Sequence, residues 1–289
     1  MTSPGARLRA AMNDQTPLLL PGVHDALSAR LAERSGFSVG YLSGSATAMS
    51  LLGLPDIGLL TGSQIVEQTR RVTAACELAL VVDADTGFGN AVNTAYTVRE
   101  LESAGAAGIQ LEDQTFPKRC GHFAGKSVVP VEEMLEKLSA AVEARRDEDL
   151  VIIARTDARA VADLTEAIDR GLRYAEAGAD VIFVEAPRNE AELREIPAKI
   201  GVPTLVNVVE GGKTPQLPLA DYAEMGFRIV LYPTAAVRTV ARGLGTLYEH
   251  LRETGTTEGA DVGMVAFAER NEITGFADYE ELAARAAGR

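Results

Sequence analysis

Eight short apolar runs rich in β-branched residues recur along the chain: PLLLPGV, SVGYLSG, LALVVDADTG, GIQLED, DLVIIARTDA, ADVIFVEA, PTLVNVVE and FRIVLYPT. None alternates polar with apolar positions, so each predicts a strand buried on both faces. Between them the pattern turns helical over 26–35, 62–76, 93–104, 131–146, 164–177 and 189–200. Several of these segments end in SG, AG or MG just before the next run (ERSGFSVG, ESAGAAGIQ, AEAGADVIF, AEMGFRIV), where glycine permits a left-handed cap. Strand–helix alternation without a low-complexity linker predicts one (β/α)8 TIM barrel domain over 1–289, with a C-terminal helical extension over 257–289. An open doubly wound sheet is the main alternative, but no G-x-G-x-x-G follows the first run. The extension exceeds what a bare barrel needs and predicts packing on another subunit.

The chain has 289 residues, 46% hydrophobic, enough for a large core. Its net charge of −13 disfavours nucleic acid and anionic membrane as partners, so an anionic substrate would need a local cationic pocket. Two cysteines, Cys76 and Cys120, rule out a disulfide scaffold and suit a reducing cytoplasm. Residues 1–17 carry Arg7, Arg9 and Asp14 and lack the apolar segment of a signal or anchor. No apolar run is long enough to span a bilayer.

In such a barrel, polar side chains at the carboxyl ends of strands converge on the active face. Here they are Ser43, Gly44 and Ser45 after the second run, Asp83 and Asp85 after the third, and Glu112 and Asp113 after the fourth. Arg155 and Asp157 end the fifth, Glu185 the sixth, Asn207 and Glu210 the seventh, and Arg238 follows the eighth. Asp83 and Asp85, at i and i+2 of a strand, project to one side and would need a cation between them. An acidic turn with Asp85 capping the next helix is the other reading. Asp56 and Glu112 shift the balance toward a hard ion such as Mg²⁺, which accepts carboxylates held behind water. Arg155 either pairs with an acid such as Glu185 or grips a substrate carboxylate.

The stretch PKRCGHFAGK sets Cys120 among Lys118, Arg119 and His122, an electropositive setting for a reactive or proton-donating thiol. An incidental thiol in an exposed basic loop is the alternative. One Cys and one His make no zinc site. Gly121 and Gly125 supply the backbone freedom of a loop able to cover a ligand. His24, His250, Tyr232 and the EGGKTP segment carry less, whereas Tyr41 lies close to the active end of its strand.

Taken together, YLSGSATAMSLLGLPDIG, DADTGFGN, GIQLEDQTFPKRCGHFAGK, IIARTDAR and NVVEGGKTP resemble, in order and spacing, the isocitrate lyase and phosphoenolpyruvate mutase superfamily. The likeness is to its short members: 2-methylisocitrate lyase, dimethylmalate-type lyases and carboxyphosphonoenolpyruvate phosphonomutase. It implies a Mg²⁺-dependent barrel, with Mn²⁺ as a substitute, assembled as a homotetramer of dimers that exchange their eighth helix. Asp83 and Asp85 would hold the ion, with Asp56 and Glu112 reaching it through water. Ser43, Gly44, Ser45 and Arg155 would fix the α-keto acid half of the substrate, and Glu185 and Asn207 would complete the pocket. Cys120 would be the acid on a mobile loop, with Lys118, Gly121 and His122 around it. Arg238 would receive the second product's carboxylate, and Tyr41 or a nearby acid would take the hydroxyl proton.

The expected activity is cleavage of a 2-hydroxy di- or tricarboxylate, of 2-methylisocitrate or dimethylmalate type, to an α-keto acid such as pyruvate and a carboxylate such as succinate. A phosphonomutase of the phosphoenolpyruvate type is the alternative, and a non-catalytic carboxylate-binding barrel the third reading. Ser45 stands where the methylisocitrate enzymes have glycine, and EGGKTP is nearer the dimethylmalate-type lyases and the mutase. Phosphoenolpyruvate mutase carries asparagine and no cysteine in the loop, so Cys120 favours the lyase.

Overall fold

The computed structural model describes residues 2–14, 16–121 and 125–288. All eight apolar runs form strands: β1 (Leu18–Val23), β2 (Val39–Leu42), β3 (Ala79–Asp83), β4 (Gly108–Glu112), β5 (Val151–Thr156), β6 (Val181–Val184), β7 (Thr204–Asn207) and β8 (Ile229–Tyr232). They pair in parallel in chain order and close through β1 and β8, with Leu18 opposite Ile229. This is the expected (β/α)8 barrel. Every residue of β2 through β7 is buried, as strands walled by helices outside and side chains inside require.

The intervening helices start on side-chain caps. Asp25 with Ser28, Thr61 with Gln64 and Asn90 with Asn93 form reciprocal capping boxes that satisfy the first backbone amides. The core has two parts. One lies between barrel and helices, from Leu42 and Val82 to Leu138 and Tyr174. The other fills the barrel itself and includes Leu20, Val81, Ile153 and Phe183.

The interior cluster also contains Leu8 and Met12, which belong to a helix over Pro4–Met12. Sequence patterning gives no sign of this helix, because only two of its side chains carry the apolar face. Ser3 caps it, a proline opens it, and the backbone at Gly5 lies so close to Asp149 that an added Cβ would stand 2.5 Å from its carbonyl carbon.

The chain divides into two compact units, Met1–Ala235 and Ala236–Arg289. Nearly all of the helix Ala235–Thr254, which follows β8, therefore groups with the C-terminal extension. That unit also contains the helices Phe267–Thr274 and Phe276–Ala287. Among the described residues no helix is long and apolar enough to cross a membrane.

Candidate active site

The site is built at the carboxyl ends of the strands. β3 ends at Asp83, and the chain turns at once: Asp85 has φ 49°, and Gly87 N donates to Ala84 O at 2.9 Å. Aspartate tolerates this left-handed conformation better than most residues. At Gly87 (φ 85°) an added Cβ would meet Thr94 Oγ1 at 2.3 Å, so only glycine fits. Asp83 and Asp85 thus come together by a turn and not by strand alternation. Their shared neighbour is Gly44: a Cβ there would stand 3.0 Å from Asp83 Oδ2 and 3.3 Å from Asp85 Oδ1. Gly44 N donates to Asp83 Oδ2 at 3.2 Å. Asp85 does not cap the next helix, whose N-cap is Asn90.

Ser43 follows β2 and caps the short helix Gly44–Thr47, its Oγ accepting from Ala46 N at 3.2 Å. Ser45 lies half-buried in that helix. Tyr41 points elsewhere than expected. Its hydroxyl donates to Gln110 Oε1 at 2.9 Å, and Gln110 Nε2 donates to Asp83 Oδ1 at 3.2 Å. Burial, reinforced by the Asp83 carboxylate, pushes the phenol well above its ordinary value, which leaves it unfit to accept a proton. Tyr41 and Gln110 instead brace Asp83. The only sequence signal of Gln110 is an amide in the middle of an apolar run.

Glu112 ends β4, fully enclosed, and neither of its oxygens makes a hydrogen bond, although Arg155 Nη1 stands 3.2 Å from Oε2. Burial raises its pKa strongly against the opposing pull of Arg155. Arg155, near the end of β5, both pairs and faces the mouth. Its Nε and Nη2 donate to Asp157 at 2.9 and 3.2 Å, Glu185 Oε2 lies 3.9 Å from Nε, and its guanidinium stacks over Phe183 at 5.2 Å. Glu185, after β6, accepts from Asn207 Nδ2 at 3.2 Å, while buried Asn207 Oδ1 has no hydrogen-bond partner.

The cysteine segment lies across this mouth. Cys120 N donates to Asp56 O at 3.2 Å. At the next residue, Gly121, an added Cβ would stand 2.5 Å from Arg155 Nη2 and 2.6 Å from Glu185 Cδ. Gly121 is glycine because its backbone rests on these two side chains. Lys118 departs from expectation: its ammonium binds Asp56 and lies 2.8 Å from Asp85 Oδ1. Burial alone would lower its pKa, but Asp85, Glu112 and Asp56 outweigh that and keep it charged. It therefore compensates the acidic cluster. Arg119 N and O pair with the Gln114 amide. His122 lies outside the described residues. Arg238 lies exposed on the helix Ala235–Thr254, in the second unit.

The donor set suits a hard cation. Among the described residues no three His, Cys, Asp or Glu side chains converge for direct ligation of one ion. Mg²⁺ asks for less: one or two carboxylates and retained water. Asp83 and Asp85 at the Gly44 shelf meet that requirement, and the orphaned oxygens of Glu112 are acceptors for such water.

Comparison with known proteins places the chain in a family. The family model for phosphoenolpyruvate phosphomutase matches residues 8–252, and the chain belongs to that family. It is 43% identical to a 2,3-dimethylmalate lyase of Eubacterium barkeri over 96% of both chains. A solved structure of oxaloacetate acetylhydrolase with 3,3-difluorooxalacetate superposes with a TM-score of 0.94 at 32% identity, covering 100% of this chain and 98% of that one. Phosphonopyruvate hydrolase in complex with oxalate and Mg²⁺ superposes with a TM-score of 0.88 at 33% identity, covering 98% and 99%. The likeness read from the motifs is therefore a family relationship.

Proposed function

We propose that this chain is a carbon–carbon lyase that splits a 2-hydroxy di- or tricarboxylate, of 2,3-dimethylmalate or 2-methylisocitrate type, into an α-keto acid and a carboxylate. The observation that carries this is the Cys120–Gly121 segment, with Gly121 seated on Arg155 and Glu185 and the Cys120 amide bonded to the carbonyl of Asp56. A thiol there can deliver a proton to a fragment leaving from the mouth. The identity with the dimethylmalate lyase supports the same reading.

Mg²⁺ would be held by Asp83 and Asp85, with Asp56 and Glu112 behind water, and would supply charge stabilisation for the substrate's carboxylate and hydroxyl oxygens. The chain's own groups do the rest. Arg155 orients the α-keto acid carboxylate, assisted by the hydroxyls of Ser43 and Ser45, while Gly44, bonded to Asp83, leaves the space beside the two aspartates open. Asn207 Oδ1 and Glu185 complete the polar wall. We assign removal of the hydroxyl proton to Glu112, both of whose buried carboxylate oxygens are without a hydrogen-bond partner. Breaking the bond between the carbinol carbon and its neighbour leaves a carboxylate-stabilised carbanion, which Cys120 protonates while the covering segment keeps water out.

The test is a panel of 2,3-dimethylmalate, 2-methylisocitrate and isocitrate with Mg²⁺, following α-keto acid release. Turnover of one member is expected, and silence across the panel would overturn the reading. The mutase reading rests on the description of the matching family and on EGGKTP. Phosphorus NMR with phosphoenolpyruvate separates it, because only a mutase forms a carbon–phosphorus bond. We further propose a cytoplasmic homotetramer whose dimers exchange the helix after β8. The apolar stripe of that helix supports the assembly, and the thiol state of Cys76 and Cys120 fits the compartment.

A further inference from the structure

We propose that Lys126 is a positioning residue that holds the Cys120–Gly121 segment against Arg155 through the shared carboxylate of Asp157. The role rests on the reading of Cys120 as the proton donor.

Lys126 follows Gly125, whose φ of 77° turns the chain back toward the barrel. Its side chain is 1% exposed, and its ammonium donates both to the carbonyl of Gly121 and to Asp157 Oδ1. Asp157 is itself fully enclosed. Its two oxygens accept from Arg155 Nε and Nη2, and its backbone amide donates to Asp113 Oδ1 at 2.9 Å. Asp113 in turn accepts from Thr156 Oγ1, Tyr174 and Arg170, which fixes this carboxylate pair in the wall.

One carboxylate thus serves two cations with different duties. Arg155 faces the mouth, and Lys126 grips the segment lying across it. A buried ammonium is costly unless it is paired, so Lys126 stays only where both Asp157 and the Gly121 carbonyl are within reach. Moving Gly121 off Arg155 takes that carbonyl away from the ammonium. Conversely, without the ammonium Asp157 faces Arg155 alone, and the Gly121 backbone loses a charge-assisted bond. Lys126 thereby couples the position of the thiol segment to the orientation of the arginine beneath it. A bare structural anchor would tie loop to wall without touching either group.

The experiment measures iodoacetamide alkylation of Cys120, resolved by peptide mass spectrometry, in the full chain and in Lys126→Met and Lys126→Arg. Lys126→Met is expected to alkylate about tenfold faster, since loss of one charge-assisted contact raises the population with the segment lifted. Lys126→Arg should restore a rate near that of the unmutated chain. With a substrate in hand, Lys126→Met should lower kcat more than it raises KM. An unchanged alkylation rate in folded Lys126→Met overturns the proposal, and so does a failure of Lys126→Arg to rescue. If Lys126→Met does not fold, Lys126→Gln, which keeps a donor and drops the charge, serves in its place. In the unmutated chain itself, alkylation as fast as that of the denatured protein also overturns it. Faster alkylation with no turnover on any panel substrate would sustain the latch and sink the lyase reading instead.

Discussion

Cys120 and Cys76 are the chain's two thiols, and their surroundings set their tasks apart. Cys76 is buried, and that burial raises its pKa, whereas Cys120 is half-buried at the mouth. Iodoacetamide should therefore modify Cys120 before Cys76. Cys120→Ser should lower α-keto acid release by roughly 10²–10⁴-fold, the usual worth of a placed general acid, with little change in KM. Asp157 offers a pH-dependent test. Burial alone would raise its carboxyl, but the guanidinium of Arg155 and the ammonium of Lys126 outweigh it and hold the group below the ordinary carboxylate range. A depressed folded pKa contributes stability that is present above the unfolded value and is lost as pH falls through the folded one. Asp157→Asn should therefore lower Tm at pH 7, and the gap to the unmutated chain should narrow only below about pH 4, the unfolded carboxylate value. The acids and Arg155 were legible in the sequence because each closes an apolar run, where an unpaired charge has no structural excuse. Gln110 and Lys126 were not. One is uncharged in mid-strand, and the other reads as an ordinary loop cation until the fold brings it against Asp157.

At the scale of elements, the strands were readable because burial on both faces removes the alternation that a one-faced sheet would show. Their helices were readable to within a few residues, since capping boxes and terminal glycines mark both ends. The turn after β3 departs from the strand geometry that the aspartate spacing predicts. Asp83 and Asp85 look like neighbours on one strand face, but the Asp85 backbone at positive φ re-aims the second carboxylate toward Gly44. The helix Pro4–Met12 leaves little trace in the sequence for a different reason. Its burial depends on contact with a barrel that only the whole chain creates, not on a strong amphipathic pattern of its own. Leu8 is fully buried among Leu20, Val81, Ile153 and Val181. Leu8→Ala should cost about 2–5 kcal/mol of stability, read by urea denaturation, because the cavity at the base of a packed barrel cannot collapse. It should leave KM unchanged, because the carboxyl-end site lies at the other end of the strands. Loss of substrate binding with unaltered stability would contradict this division of roles.

For the whole molecule, the barrel fold and its active end follow from strand order, but the proposed assembly rests on a surface that sequence patterning describes only in part. The helix Ala235–Thr254 exposes Val240 at 46%, Leu244 at 42% and Tyr248 at 61%. Spaced four residues apart, they form one stripe along a single helix face. The other helices of the C-terminal unit add Phe267, Phe276, Tyr279 and Leu282, also exposed. Contiguous apolar surface of this extent is rarely left in water unless another surface covers it. The net charge of −13 argues against a polyanion or an acidic membrane as that cover, and the proposed homotetramer would supply a second copy of the chain in that place. Light scattering after size exclusion should find about four times the 30.6 kDa chain mass. Leu244→Arg combined with Tyr248→Glu should shift the protein to smaller species, because each places a charge where apolar contact would have to close. The double variant also separates assembly from folding: far-ultraviolet circular dichroism should be unchanged, since neither side chain belongs to the barrel core. An unmutated chain that remains monomeric at micromolar concentration would refute the tetramer and leave the exposed stripe without its explanation.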